Sequence, residues 1–194
     1  MVERGGLENR CASLAHRGFE SLPLRLRLRW QARARGANPV HRVRTGALLR
    51  EYRGVYRVGH RAPSVEARYL AAVLVCGPGT VLSGRSVAHM LGLLKGRPPR
   101  AEVTTRTERR VPGVVTRRER GAEGRDAIAW CGIPVTTVAT TLVDIAAVLD
   151  VDTLARACHE AGVRHGTTPA HVDAVLARRS NSKGAAKPAP DPPR

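Results

Sequence analysis

Aromatic residues are scarce in this chain, which has one Phe, two Trp and three Tyr among its 194 residues. Proteins that bind RNA or single-stranded DNA stack bases on aromatic side chains, so this composition argues against both classes. Long hydrophobic runs are also missing: none approaches the roughly 20 residues of a membrane span, and the N-terminus lacks the hydrophobic core of a signal peptide. We therefore expect a cytoplasmic protein without a membrane segment.

Cysteines are few and far apart in the sequence. Cys11, Cys76, Cys131 and Cys158 form no Cys-x-x-Cys pair, and no histidine stands at zinc-ligand spacing from any of them. The spacing predicts free, mostly buried thiols and no metal site.

Catalytic patterns are weak. Asp150-Val-Asp152 superficially resembles the metal-binding Asp-x-Asp of nucleotidyltransferases, but the Gly-Ser nucleotide loop of those enzymes is missing upstream, and helix termination and capping explain both aspartates better. Cys158 and His159 are neighbours on a predicted helix, where successive side chains point about 100° apart and cannot form a nucleophile-base pair. We expect no catalytic residues and no cofactor, so the protein is predicted not to be an enzyme.

Two further patterns have simpler explanations than a ligand site. His159, His165 and His171 lack the three- or four-residue spacing that places side chains on one helix face, and are interpreted as surface histidines. The string Ser83-Gly84-Arg85-Ser86 has the composition of a phosphate-binding helix N-terminus. Ordinary capping by Ser83 is the simpler interpretation.

Positive charge is abundant. The formal net charge is +17, and only 3 of the 33 basic residues are Lys. Residues 1–60 hold 13 Arg and 4 acidic residues, whereas residues 137–165 hold 2 Arg and 4 acidic residues. The arginine excess has two explanations, the codon usage of a high-GC genome and an electrostatic footprint for nucleic acid. The concentration of charge towards the N-terminal side favours the second.

The stretch from Val43 to His60 organises the N-terminal half. Two short runs rich in Leu, Tyr and Val are separated by Arg53-Gly54, where glycine can adopt the positive φ of a tight turn. Pro39 can open a short helix that ends at Arg44, with Gly46 closing it. A basic hairpin after a short basic helix is typical of the wing of a winged helix-turn-helix.

The two ends of the chain look different from its middle. Residues 1–36 lack a sustained hydrophobic period, and Arg17-Gly-Phe-Glu-Ser21 matches a translation through the T arm of a tRNA gene. We therefore interpret residues 1–36 as a disordered or non-native basic segment that overlaps a tRNA gene, with an ordinary disordered basic tail as the alternative. Residues 180–194 are rich in proline and are predicted to be disordered.

Between these ends, the pattern predicts an α+β fold. Residues 37–62 are expected to form a partial winged helix-turn-helix, consisting of a short helix plus a β-hairpin wing, and residues 63–179 a small antiparallel sheet packed with several helices. Pro63-Ser64 begins a buried helix that Gly77-Pro78-Gly79 ends. Strands and later helices follow: strands at Glu102 to Thr105, Val114 to Arg118 and Ile128 to Trp130, and helices begun by Thr136 or Thr137, by Asp152 and by Thr168-Pro169.

Several strings resemble an actinobacterial group of AbiEi-family antitoxins of type IV toxin-antitoxin systems, many of which carry a C-terminal nuclease-like domain of the very-short-patch-repair type. The strings are Arg53-Gly-Val-Tyr-Arg-Val-Gly-His60, Cys76-Gly-Pro-Gly-Thr-Val-Leu-Ser83 with Arg85-Ser-Val-Ala88, and Gly132-Ile-Pro-Val-Thr-Thr137 with Thr141-Leu-Val-Asp144. The resemblance covers roughly residues 39–187. It implies a winged helix that binds promoter DNA, followed by an α+β antitoxin domain.

By position, the resemblance places Arg42 and Arg44 at the end of a recognition helix and Arg50, Arg53 and Arg57 on the wing. Wing arginines are expected to contact phosphates of double-stranded DNA, which supplies weak, salt-sensitive affinity more than sequence readout. The chain departs from the family before Pro39 and after Lys187, where we expect truncation. Two alternatives to a repressor follow: a non-functional remnant with a foldable middle domain, and an interaction module for a cognate nucleotidyltransferase-type toxin.

Overall fold

The computed structural model describes residues 43–46, 48–57, 64–118 and 127–179, which form an α+β structure of five helices, a two-stranded hairpin and a five-stranded sheet. Arg42, residues 1–36 and residues 180–194 lie outside the described residues, and so do the expectations placed on them. None of the described helices is both long and apolar enough to cross a bilayer.

The predicted hairpin is confirmed. Strands β1 (Leu49–Tyr52) and β2 (Val55–Arg57) pair antiparallel, with Leu49 opposite Arg57. Gly54 in the connecting turn has φ 82°, the backbone conformation for which glycine was expected there. Just before the hairpin, Gly46 donates its N–H to the carbonyl of Val43 at 3.1 Å, which closes the helical turn at the predicted place.

The first long helix forms the support for this hairpin. Helix α1 (Val65–Cys76) begins at Ser64, whose hydroxyl accepts the N–H of Ala67, and ends at Gly77. Seven of its residues are buried, as the apolar pattern predicted. The helix packs against both hairpin strands and against the central sheet, so the hairpin is attached to the main core through α1.

The main sheet is mixed, and the prediction of an antiparallel sheet is wrong. Its strand order is β5-β4-β3-β7-β6, with parallel pairs β3/β7 and β4/β5. The strands are β3 (Val81–Leu82), β4 (Ala101–Thr105), β5 (Val114–Arg118), β6 (Ala127–Trp130) and β7 (Ile133–Thr136). Short runs joined by loops suggested hairpins, but β4 and β5 are joined by a crossover at residues 106–113, so they run in the same direction.

The described residues form four more helices: α2 (Gly84–Met90), α3 (Val138–Ala146), α4 (Val151–His165) and α5 (Pro169–Arg178). Thr137 caps α3 and Thr168-Pro169 begins α5, as predicted. The cap of α4 is Asp150, whose carboxylate accepts the N–H of Thr153, whereas Asp152 lies in the first turn. Capping at Asp152 was therefore wrong by two residues, because either aspartate has the right side chain for the role.

The cysteine prediction is only partly confirmed. Cys76 is buried and free, and Cys158 is free but exposed. Cys131 is disulfide-bonded, so the prediction of a free thiol is wrong at this position. Spacing along the chain cannot show which distant cysteines the fold brings together.

Candidate nucleic-acid interface

Three of the predicted DNA-contacting arginines are exposed. Arg44 lies in the helical turn before the hairpin, Arg50 lies on β1, and Arg53 occupies the turn between the strands. Within the described parts of the chain, Arg50 and Arg53 have no carboxylate within ion-pairing distance. Their guanidinium groups are available to an anion from solution.

Arg57 differs from the other hairpin arginines. Its side chain is only 11% exposed, and its Nε lies 2.7 Å from a carboxylate oxygen of Glu51 on the neighbouring strand. This cross-strand ion pair neutralises much of the charge that Arg57 would offer to a phosphate, and it stabilises the hairpin instead. The exposed charge of the hairpin therefore comes from Arg50 and Arg53.

The inner side of the hairpin rests against α1. Burial raises the pKa of Tyr52, and the neighbouring Glu51 carboxylate raises it further; Cys76 and Arg68 of α1 also act on it. Leu48 and Val55 are buried as well. The hairpin is thus held on a helix that is itself part of the core.

The string at Ser83 does not form an open phosphate site. Ser83 is the N-cap residue of α2, but its side chain makes no capping hydrogen bond. Instead, the buried carboxylate of Glu102 accepts the N–H of Arg85 at 3.1 Å and pairs with Arg85 Nε at 2.9 Å. A protein carboxylate already occupies the position where a bound phosphate would sit.

A second carboxylate, that of Asp144 on α3, reaches the same helix end. It pairs with Arg179 Nη1 at 2.9 Å. Burial raises the pKa of Asp144, and Arg179 and the more distant Arg117 oppose the rise. The nearby N–H of Gly84 also lowers this pKa. The carboxylate of Glu102 on β4 therefore caps the start of α2, so the capping that was predicted for Ser83 is supplied from elsewhere in the fold.

The other residues that could take part in chemistry have structural roles. Asp150 caps α4 and has its pKa lowered chiefly by the N–H of Thr153, which accounts for it structurally. His165 bonds to the carbonyl of Leu91, and His171 takes part in the capping box of α5. No group of three potential metal ligands occurs in the portion of the chain that the structure describes.

Sequence reasoning missed a second group of exposed arginines. Arg106, Arg109 and Arg110 lie on the crossover between β4 and β5, and all three are exposed. In a chain with 30 arginines, three more in a loop are not distinctive. The signal that would have found them is local: residues 106–110 contain three arginines and one acidic residue.

The chain matches no protein-family model and no curated protein.

Proposed function

We propose that this protein is a cytoplasmic, antitoxin-like transcriptional repressor of a type IV toxin-antitoxin system, and that it binds double-stranded DNA through the basic hairpin. The single observation that carries the proposal is the pair of exposed arginines, Arg50 and Arg53, on a hairpin whose opposite side is buried against α1. The hairpin with the helical turn at Val43 is consistent with the remnant of a winged helix.

The geometry suits contact with phosphates. A guanidinium group donates several hydrogen bonds in a fixed plane and binds phosphate with two of them at once. Arg50 lies on a strand and Arg53 in a tight turn, so the two groups are presented by short, ordered backbone. Such contacts fix position and add salt-dependent affinity, but they carry little base readout.

The net charge supports the same partner. A protein with a formal charge of +17 is attracted to a polyanion over the whole encounter, not only at the contact. Two exposed arginines alone supply modest affinity, so binding is expected in the range typical of non-specific complexes, with Kd of roughly 1–100 µM at physiological salt.

The test is the affinity of the full chain for a labelled 30-base-pair duplex, measured by fluorescence anisotropy from 50 to 200 mM salt. Substituting Arg50→Ala and Arg53→Ala together removes two phosphate contacts. We expect the slope of log Kd against log salt to become shallower by about 2, because each contact contributes about 0.9.

A matched variant controls for the loss of charge. Arg97 and Arg100 are exposed and lie before β4, away from the hairpin in sequence. Arg97→Ala with Arg100→Ala removes the same charge and should leave the slope close to that of the unmodified protein. Equal slopes for the hairpin variant and this control would overturn the proposed role of the hairpin.

A further inference from the structure

The crossover at residues 106–113, here called the basic crossover, carries a net positive charge. Its arginines are Arg106, Arg109 and Arg110, and Glu108 is its one acidic residue. Arg110 pairs with Glu108 at 3.4 Å, but the two side chains are 92% and 67% exposed. An ion pair so open to water is weak, so Arg110 can exchange Glu108 for a stronger anion such as phosphate.

The backbone of the basic crossover is held in place at several points. The Thr105 hydroxyl donates to the carbonyl of Thr107, and the Thr116 hydroxyl donates to the carbonyl of Arg109, each at 2.5 Å. Val114 donates its N–H to Val111 at 3.1 Å. A ligand that binds this loop therefore has little backbone to order, which lowers the entropic cost of binding.

The basic crossover lies against the turn that follows α1. A guanidinium nitrogen of Arg109 is 3.8 Å from the position that a Cβ on Gly77 would occupy, and Arg106 Cδ is 3.9 Å from the corresponding position on Gly79. Helix α1 has no basic residue in its last turn. Arg109 therefore supplies the positive charge that favours a helix C-terminus.

The basic crossover lies beside the turn after α1, and the hairpin packs on α1 itself. Arg109 lowers the pKa of Cys76, against the larger effect of burial, while Cys76 in turn acts on Tyr52 of β1. Arg53 follows Tyr52 directly in the chain. The basic crossover and the hairpin are thus both adjacent to α1, and the carboxylate of Glu51 on β1 is already paired with Arg57.

We propose that the basic crossover is a second phosphate-binding surface for double-stranded DNA, in which Arg106, Arg109 and Arg110 extend the contact made by Arg50 and Arg53. This inference rests on the proposed function and assigns it a second contact. The role of Arg109 at the end of α1 does not account for Arg106 and Arg110, for neither of which the described residues offer a buried partner.

The experiment compares three double variants of the full chain with the hairpin variant on the 30-base-pair duplex over the same salt range. Arg109→Ala with Arg110→Ala should weaken binding about tenfold or more at 0.1 M salt and make the slope shallower by about 2. Arg109→Lys with Arg110→Lys keeps the charge and should retain most of the slope. Arg97→Ala with Arg100→Ala should match the unmodified protein.

The outcomes separate the two proposals. If the crossover variant binds like the unmodified protein while the hairpin variant is weakened, the second surface is overturned and the hairpin proposal stands. If the crossover variant alone is weakened, the hairpin proposal fails and the crossover is confirmed as a contact. If neither is weakened, both fail. Thermal unfolding of each variant shows whether it is still folded. If the alanine variant of the crossover is unfolded, the lysine variant provides the test. A lysine variant that is folded but binds as weakly as the alanine variant overturns the inference.

Discussion

Replacing Gly84 with alanine should destabilise the protein by about 4 kcal/mol, the largest effect expected for removing a glycine here. Gly84 has φ +58°, a conformation that costs an alanine about 1 kcal/mol. The added Cβ would also overlap Oε2 of Glu102. That carboxylate is buried and bonded to Arg85, so moving it leaves a buried charge poorly paired, at a cost of about 3 kcal/mol. Urea unfolding measures the difference.

Gly166 provides a matched control for the Gly84 substitution. It has φ +63°, nearly the same backbone conformation, and nothing lies within 4 Å of the position its Cβ would take. Gly166→Ala should therefore cost only about 1 kcal/mol, the part due to backbone strain. If both substitutions cost the same, Glu102 can move aside at no expense, and the description of the α2 terminus as a filled anion position is wrong.

Replacing Arg179 with alanine is expected to cost about 3 kcal/mol at neutral pH, because it removes the closest cation from a mostly buried carboxylate. The side chains of Asp144 and Arg179 are only 14% and 17% exposed, so water compensates little. Replacing an exposed arginine such as Arg156 with alanine should destabilise the protein by less than about 0.5 kcal/mol. Urea unfolding at pH 7 tests both.

The loss of stability caused by Arg179→Ala should depend on pH, and the pKa shift of Asp144 gives the direction of this dependence. Burial raises the pKa of Asp144 above its ordinary value of 3.8, so its contribution to stability is fully present below that value and is lost as pH rises through the raised pKa. Arg179→Ala removes the strongest opposing cause and raises the pKa further. The cost of this substitution should therefore shrink as pH is lowered and Asp144 becomes protonated.

A second substitution isolates the charge of Asp144. In a protein carrying Asp144→Asn, no charge remains to be left unpaired, so Arg179→Ala should cost less than about 1 kcal/mol and should not depend on pH in the acidic range. A cost of Arg179→Ala that is the same at pH 4 and pH 7, or the same with and without Asp144→Asn, would contradict the assigned ion pair.

Local features of the fold could be predicted from the sequence. The Arg53-Gly54 turn, the end of α1 at Gly77 and the start of α5 at Thr168-Pro169 each depend on residues within one turn of the backbone. The residues at these positions determine the local structure, because glycine readily adopts positive φ and threonine followed by proline favours the start of a helix. The hairpin could be predicted from its own residues alone.

Features that depend on distant residues could not be predicted in this way. The carboxylate that caps the start of α2 comes from β4, where Glu102 accepts the N–H of Arg85. Arg57 was predicted as a free wing arginine, but its ion pair with Glu51 depends on the strand register. The parallel pairing of β4 and β5 likewise follows from where the crossover passes, which short strand signals do not encode.

The candidate interface was only partly predicted from the sequence. The hairpin arginines were predicted because they stand on a recognisable pattern, whereas three arginines in a loop were not distinctive in a chain with 30 arginines. Three of the five arginines proposed to contact DNA were therefore not predicted, although the local excess of arginine in residues 106–110 would have indicated them.

The central claim is that arginines on the hairpin and the basic crossover bind DNA phosphates. The most direct measurement is the salt dependence of duplex binding by a variant lacking Arg50, Arg53, Arg109 and Arg110, compared with the unmodified chain. Four lost contacts should make the slope of log Kd against log salt shallower by about 3.6, and more than either double variant. An unchanged slope would contradict the claim.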